Sequence, residues 1–399
     1  MIHLNASKKT ILFLGDGMAD EPLSELGNRT PLQVAFKPHM DAIARNGRSG
    51  TLLTLPEGFP TSSDVANMSV LGCDLKTEMC GRGPLEAGSQ GISLGPHDVC
   101  FRVNLVSVNS EGILTDFSGG HISQVDAEAA IHLLNRALAT PKIRFYPGVS
   151  YRNLLVLSGP EFTAAVRCGK PDDNHGNPIS RHLPMPASPD GAYTAKVLHD
   201  LMTAAAELLK GKPANHIWPW SGGKSGAMRK ITDRFGISAA VISAVDVING
   251  LGRCLGMEVI KVPGATGYID TNYEGKADAA LAAIQTHDFV FVHVEAIDEV
   301  SHAQDLKLKI RTIEEFDKRL IGRVMSSANP ATTFAVLPDH PVPIATGKHT
   351  RTPVPVSIWS QHEQPDGTPA FDEAACARGS LGALKGDALM RILFGTPRS

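Results

Sequence analysis

Residues Asp288–Asp298 read DFVFVHVEAID, an apolar β-type run that ends in carboxylates. The same form recurs in KTILFLGDG at Lys9–Gly17 and in TTFAVLPDH at Thr332–His340. Such runs end in polar or glycine-rich turns and alternate with helical patterns, which predicts an α/β protein with a largely parallel central sheet flanked by helices. In an open parallel sheet, ligands collect at the carboxyl ends of the strands, and in all three runs the acidic residues lie at that end.

Outward from these runs, Leu306, Ile310, Ile313, Phe316, Leu320 and Val324 recur at intervals of three and four, with Lys309, Arg311, Glu314 and Lys318 on the opposite face. That spacing predicts a surface helix packed on one side. Further helical patterns lie near Asp126–Ala139, Ala192–Lys210 and Lys276–Gln285. The segment Arg167–Gly191 is rich in Pro, Asp, Asn and His, the composition of a long loop or hinge. Acidic strand ends stand both before and after it. The sequence therefore predicts a discontinuous main domain, residues 1–75 with 211–399, and a smaller inserted α/β or α+β domain at 76–210.

The 399 residues are 42% hydrophobic and 20% charged, enough apolar material for two cores. A net charge of -3 supplies no basic field for a phosphate backbone, so the expected partner is a small molecule rather than nucleic acid. The six cysteines, at 73, 80, 100, 168, 254 and 376, form no CxxC and read as thiols of a reducing cytosol. The apolar run in MIHLNASKKTILFLG is too short for a signal-peptide core, and no segment reaches the roughly 18 apolar residues of a membrane span. A cytoplasmic protein with no membrane partner is expected, with a homo-oligomer left open. Two nucleotide-like motifs fail on spacing. WPWSGGKS has Trp218 where a phosphate loop needs glycine, and GLGRCLG at Gly250–Gly256 is GxGxxxG rather than GxGxxG.

The polar residues after the three strands form a set: Asp16, then Asp298 and His302, then Asp339 and His340, with His349 further on. Carboxylate and imidazole together suit a divalent transition-type metal such as Mn²⁺ or Zn²⁺. Asp298 and His302 are four apart in DEVSH, so a helix there points both the same way. Asp339 and His340 both reach a metal only where the strand gives way to a loop, as PVPIATG suggests. Three carboxylates and three histidines exceed one tetrahedral ion, so two ions are expected, a charge excess suited to phosphate. Such a site can also turn a serine hydroxyl into a nucleophile without a histidine base. FPTSSDVANMSVLG at Phe59–Gly72 offers that serine, although Ser63 before Asp64 and a helical pattern also looks like an N-cap.

In order and coverage these motifs resemble the archaeal-type cofactor-independent phosphoglycerate mutases of the alkaline phosphatase superfamily. The resemblance is carried by GDGMAD at Gly15–Asp20, Thr30–Gly50, GRGPLEAG at Gly81–Gly88, FRVNLVSV at Phe101–Val108 and DFSGGHIS at Asp116–Ser123. It continues through VPGATGYIDTNYEGKA, HVEAIDEVSH, PDHPVP and KHTRTPVPV. It implies an alkaline-phosphatase-like core with an inserted substrate-binding lid. Asp16, Ser63, Asp339 and His340 would surround one ion, and Asp298, His302 and His349 the other. Mn²⁺ is the implied metal, with Zn²⁺, Co²⁺ or Mg²⁺ as alternatives, and no 2,3-bisphosphoglycerate is required. Ser63 matches the nucleophile, and Ser62 stands where the family usually has glycine. Arg82, Arg102, Asn104, Asp116 and His121 match positions that would hold the donor's carboxylate and phosphate, a task suited to arginine's bidentate fork.

The implied reaction is interconversion of 3-phosphoglycerate and 2-phosphoglycerate through a phosphoserine. Two positions depart from the family's pattern: Asn67 where histidine is common, and Asn249 in SAVDVINGLG where lysine is common. Both favour the alternative reading of a homoserine kinase-like phosphotransferase on the same site. Lesser alternatives are a phosphate-ester hydrolase and a metabolite binder without turnover. The complete nucleophile and ligand set argues against the binder.

Overall fold

Thr10–Gly15 is buried along its whole length and lies between Phe289–Val294 and Thr333–Leu337, parallel to both. All three strands are wholly buried, as expected of strands covered on both faces by helices. Their register pairs Gly15 with Val294 and Leu14 with Leu337. The next residues of each strand, Asp16, Glu295 and the Pro338–Asp339 turn, therefore emerge side by side.

The computed structural model describes residues 9–224, 228–361 and 363–396. The chain divides into two compact units, Met1–Met79 with Arg229–Ser399, and Cys80–Met228. In the first unit the sheet has eight strands. Their spatial order is Glu258–Ile260, Ala239–Ile242, Phe289–Val294, Thr10–Gly15, Thr333–Leu337, Val354–Trp359, Arg48–Leu53 and Gly382–Lys385. Only Val354–Trp359 runs antiparallel to its neighbours. The expected α/β core with a largely parallel sheet is present. One core gathers Ile11, Phe13, Val290, Val292 and Val336 from the sheet with Met40, Ile43, Ala277, Ala280, Phe316 and Leu320 from helices.

Helices fall where periodicity placed them, at Gln124–Leu138, Ala192–Leu208 and Tyr273–Thr286. The helix after His302 is less regular than its spacing implies. Leu306–Glu315 is α-helical, Phe316–Gly322 is wound as a π-helix, and Arg323–Ser327 returns to α. Lys309, expected on the solvent face, is fully buried. Its Nζ donates to Asp20 Oδ2 at 2.8 Å and to the Val342 carbonyl at 2.9 Å. A buried ammonium is tolerated because a carboxylate and carbonyls meet its donors.

The second unit is a five-stranded antiparallel sheet around Asp98–Val108, which pairs with Leu114–Asp116, Arg152–Ser158 and His216–Gly223. Phe101, Val103, Leu105 and Leu155 pack there against Ile131, Leu134, Leu198 and Met202. The sequence set the second joint at residue 210. Pairing of His216–Gly223 with Asp98–Val108 carries the unit on to Met228. The first six residues of WPWSGGKS are thus strand, Lys224 follows the strand end, and Ser225 lies outside the described residues. GLGRCLG lies largely in the helix Asp246–Cys254. There a Cβ on Gly252 would come within 2.4 Å of Val241, so that glycine serves helix–strand packing. Arg167–Gly191 is loop and short turns, closed by pairing of Val166–Arg167 with Met185–Pro186. All six cysteines are free. No helix among the described residues is long and apolar enough to cross a membrane.

Candidate active site

The strand ends build the site. After Thr10–Gly15 the chain turns through Asp16 and Gly17, whose φ of +63° suits glycine. A Cβ on Gly17 would lie 2.6 Å from Asp298 Oδ1, so glycine also lets the turn approach that carboxylate. After Phe289–Val294 the helix Ala296–His302 sets Asp298 and His302 one turn apart, and His302 Nε2 is 3.2 Å from Asp298 Oδ2. Thr333–Leu337 ends before Asp339 and His340, which lie in the following turn. Asp339 Oδ1 accepts from Gly17 N at 3.2 Å and from its neighbour's His340 N at 2.8 Å.

Two groups of closely spaced polar side chains result. In one, His302 Nε2 and His349 Nε2 are 2.9 Å apart, and His349 Nε2 is 3.6 Å from Asp298 Oδ1. In the other, His340 Nε2 lies 3.4 Å from Asp16 Oδ1, 3.5 Å from Asp339 Oδ2 and 3.1 Å from Ser63 Oγ. The His340 and His349 rings stack at 3.8 Å between centroids, so the groups adjoin. Ser63 opens the helix Ser63–Val70, and Ser62, not Ser63, occupies the cap position without a side-chain bond.

A third group was not foreseen. His293 Nε2 is 3.0 Å from Asp16 Oδ2 and 3.7 Å from Glu295 Oε2, and its Nδ1 is 3.2 Å from Ser243 Oγ. Fully buried Lys276 donates to the His293 carbonyl at 2.9 Å. These residues were hidden in runs that read as strand or helix interior. The carboxylate beyond His293 was the one signal that could have found them.

The electrostatics describe a surplus of negative charge. Burial, reinforced by Asp339, Glu295 and Asp298, raises the Asp16 carboxyl well above its usual range. Burial pushes Glu295 up to about 8 and Lys276 down to about 8. Asp298 goes the other way. Burial raises it, but bonds from His302 and His349 outweigh that and hold it low, and Asp298 in turn pushes His302 up to about 9. Burial lowers His340 and drives His293 down to about 3, which leaves the His293 imidazole neutral. Asp16 Oδ1 and His340 Nδ1 are buried and make no hydrogen bond, an expensive state for polar atoms. Buried carboxylates beside imidazoles are a donor set for divalent cations, and the residues fit that role.

Asn67 and Asn249, which stand where the resembled family commonly has histidine and lysine, bond to residues of these groups. Asn67 Nδ2 donates to the Ser63 carbonyl at 2.8 Å and to Asp339 Oδ2 at 2.9 Å. Asn249 Nδ2 donates to the Ser243 carbonyl at 3.2 Å.

In the second unit, Arg82, Arg102 and Asn104 gather around Trp220. The Arg102 guanidinium sits 4.9 Å from the indole centroid and its Nη1 donates to Glu86 Oε1 at 2.8 Å. Arg82 sits 5.9 Å from the same ring. Asn104 Nδ2 donates to the Phe117 carbonyl at 3.1 Å. Asp116 and His121 share the adjoining turn, in which Ser118 Oγ donates to Asp116 Oδ1 at 2.6 Å and accepts from His121 N at 3.0 Å. His121 holds a φ of +54°, unusual for a residue other than glycine.

A mostly parallel sheet with carboxylates and imidazoles massed at its strand ends defines a metal-dependent enzyme, and a model of the Metalloenzyme superfamily matches residues 8–396. The 2,3-bisphosphoglycerate-independent phosphoglycerate mutase of Methanosarcina acetivorans is 44% identical over 398 residues, covering 96% of this chain and 99% of the relative. That of Methanopyrus kandleri is 36% identical and covers 97% and 96%. Among solved structures, the cofactor-independent phosphoglycerate mutase of Thermoplasma acidophilum superposes with a TM-score of 0.71 at 29% identity, over 97% and 98% of the two chains. A Pyrococcus horikoshii protein reaches 0.81 at 26% identity, over 97% and 96%. The chain belongs to the 2,3-bisphosphoglycerate-independent phosphoglycerate mutase family.

Proposed function

We propose that this protein interconverts 3-phosphoglycerate and 2-phosphoglycerate, with Ser63 carrying the phosphoryl group between the two positions. The observation that carries the reading is Ser63 Oγ at 3.1 Å from His340 Nε2, which joins a nucleophile to the Asp16, Asp339 and His340 group. Divalent cations held by Asp16, Ser63, Asp339 and His340 and by Asp298, His302 and His349 would lower the Ser63 hydroxyl pKa and neutralise the phosphoryl oxygens. Mn²⁺ suits the mixed carboxylate and imidazole donors, with Zn²⁺, Co²⁺ or Mg²⁺ as alternatives, and no 2,3-bisphosphoglycerate takes part.

The chain's own groups do the positioning. Ser63 Oγ attacks phosphorus, its bond to the 3-oxygen breaks, and the glycerate re-orients. The 2-oxygen then takes the phosphoryl group and releases Ser63. Asn67 ties the Ser63 backbone to Asp339 through one amide, fixing nucleophile and ligand together. Ser63 stands at a helix N-terminus, whose backbone donors favour the phosphoryl oxygens it receives. We assign the metals and Ser63 to the first unit and the substrate's anion-binding groups, Arg82, Arg102, Asn104, Asp116 and His121, to the second.

Neutral Asn67 and Asn249 favour a second reading, phosphoryl transfer from ATP to homoserine at the same serine. Phosphorus NMR of the Mn²⁺-loaded protein separates the two. With 3-phosphoglycerate, a 2-phosphoglycerate signal absent from Ser63→Ala supports the mutase. Homoserine phosphate from ATP and homoserine, without mutase product, replaces it.

A further inference from the structure

WPWSGGKS fails as a phosphate loop, yet its backbone is built with unusual care. Pairing between Asp98–Val108 and His216–Gly223 slips register between Cys100 and Arg102. Opposite that slip, Ser221 holds a φ of +47°, a strained state for serine, and its Oγ accepts from Arg82 N at 2.9 Å. A Cβ on Gly222 would reach 2.2 Å from the Phe101 ring, and one on Gly223 would overlap the Cys80 carbonyl at 1.5 Å. Bulges and strained residues of this kind re-aim side chains next to functional sites.

What they aim is Trp220. Its ring carries the guanidinium groups of Arg102 at 4.9 Å and Arg82 at 5.9 Å, and its Nε1 donates to Asn104 Oδ1 at 3.0 Å. The negative face of an indole attracts both cations and offsets their mutual repulsion. Arg102 is 6% exposed, and its Nε is buried without a hydrogen bond while Nη1 is taken by Glu86. An unpaired buried guanidinium N–H is costly and marks the edge on which an anion would sit.

We propose that Trp220 is a positioning residue that, with the strained Ser221 turn, builds an oxyanion subsite in which Arg102 offers its Nε edge, with Arg82 beside it, to the substrate's carboxylate. The inference rests on the phosphoglycerate reading. There the phosphoryl group belongs to Ser63, which leaves the carboxylate as the charged group to be bound elsewhere. A planar two-oxygen acceptor also matches a guanidinium edge whose Nε makes no hydrogen bond.

The test uses the full-length, Mn²⁺-loaded protein. Trp220→Leu should raise the KM for 3-phosphoglycerate about tenfold with kcat within about twofold, while Trp220→Phe, which keeps a ring, stays within about threefold of the parent KM. The inhibition constant of glycerate should rise with KM in Trp220→Leu, and that of glycerol 3-phosphate should not. A parental KM in Trp220→Leu overturns the proposal, as does equal impairment in both variants. A shift confined to glycerol 3-phosphate overturns the carboxylate assignment. If Trp220→Leu does not fold, Arg102→Lys decides, since it keeps the charge but loses the Nε edge. It should raise KM about tenfold, and an unchanged KM refutes the subsite. Failure of the parent protein to convert 3-phosphoglycerate is a separate result, which removes the phosphoglycerate reading itself.

Discussion

His302 Nε2 faces His349 Nε2 at 2.9 Å, while each ring's Nδ1 meets a backbone carbonyl, that of Gly347 at 2.8 Å and that of Thr61 at 3.1 Å. Carbonyls only accept, so Nδ1 carries the hydrogen on both rings and both neutral Nε2 atoms are left as lone pairs. Two lone pairs face each other at that distance only with a positive charge between them. In the metal-free protein a proton on His302, held by Asp298, serves. A divalent cation would take its place.

This exchange gives a pH dependence with a definite sign. Asp298 pushes His302 up to about 9, so below that pH an incoming cation must expel a proton. Apparent Mn²⁺ affinity should rise by about tenfold per pH unit between roughly 7 and 9 and then level off. Calorimetry in buffers of different ionisation enthalpy reads the released proton directly. An affinity flat across that range removes His302 from the ligand set.

Stripping the metals with a chelator should abolish turnover and soften the fold. Cation at a hundred times its dissociation constant adds about 2.7 kcal/mol per independent site. Thermal melts with and without Mn²⁺ give the difference, and coincident melts argue against binding to the folded state.

Ser63→Ala should cost at least about 10⁴-fold in turnover, because it removes the hydroxyl that stands 3.1 Å from His340 Nε2. Metal content should remain at one ion per chain or more, since Asp298, His302 and His349 are untouched. Residual mutase activity near the parent level would show that the phosphoryl group does not travel through Ser63.

His293 meets Asp16 at Oδ2, while His340 lies nearest its Oδ1. Replacing His293 with Asn should weaken metal binding by about 10–100-fold, the usual effect of losing a partner that orients a ligand. A competition titration against a metal-sensitive dye measures this, and unchanged affinity would reduce His293 to a packing residue.

Lys309→Met leaves Asp20 buried without its counter-charge and should cost about 3–5 kcal/mol in denaturant unfolding. Adding Asp20→Asn should recover part of that loss. Equal stability of single and double variants would mean that the pair contributes packing alone.

Much of this was legible in the sequence, for reasons that differ by element. The three buried strands announce themselves as unbroken apolar runs, and the acidic residues after them gave Asp16, Asp298 and Asp339 directly. Spacing in DEVSH gave the shared face of Asp298 and His302. Lys309 shares the helical spacing of Leu306, Ile313 and Phe316 and reads as solvent-facing only by residue type, because its partner Asp20 is 289 residues away. His293 escaped because its position inside a strand looks structural until Asp16 is seen across from it. The joint near residue 210 erred because Pro219 and two glycines mask His216–Gly223 as a strand. That strand is defined by its pairing with Asp98–Val108, not by its own composition.

The order of the chain sets a condition on its synthesis. Asp16 meets His293 across 277 residues, and both neighbours of the Thr10–Gly15 strand belong to the last third of the chain. The Thr10–Gly15 strand thus waits unpaired until Phe289–Val294 has been made, at ordinary elongation speeds roughly tens of seconds. All that time a segment that the finished fold buries completely stays unpaired, while Cys80–Met228, contiguous in sequence, emerges entire and can fold. Aggregation during translation, rather than loss of the finished fold, is where this architecture is most vulnerable.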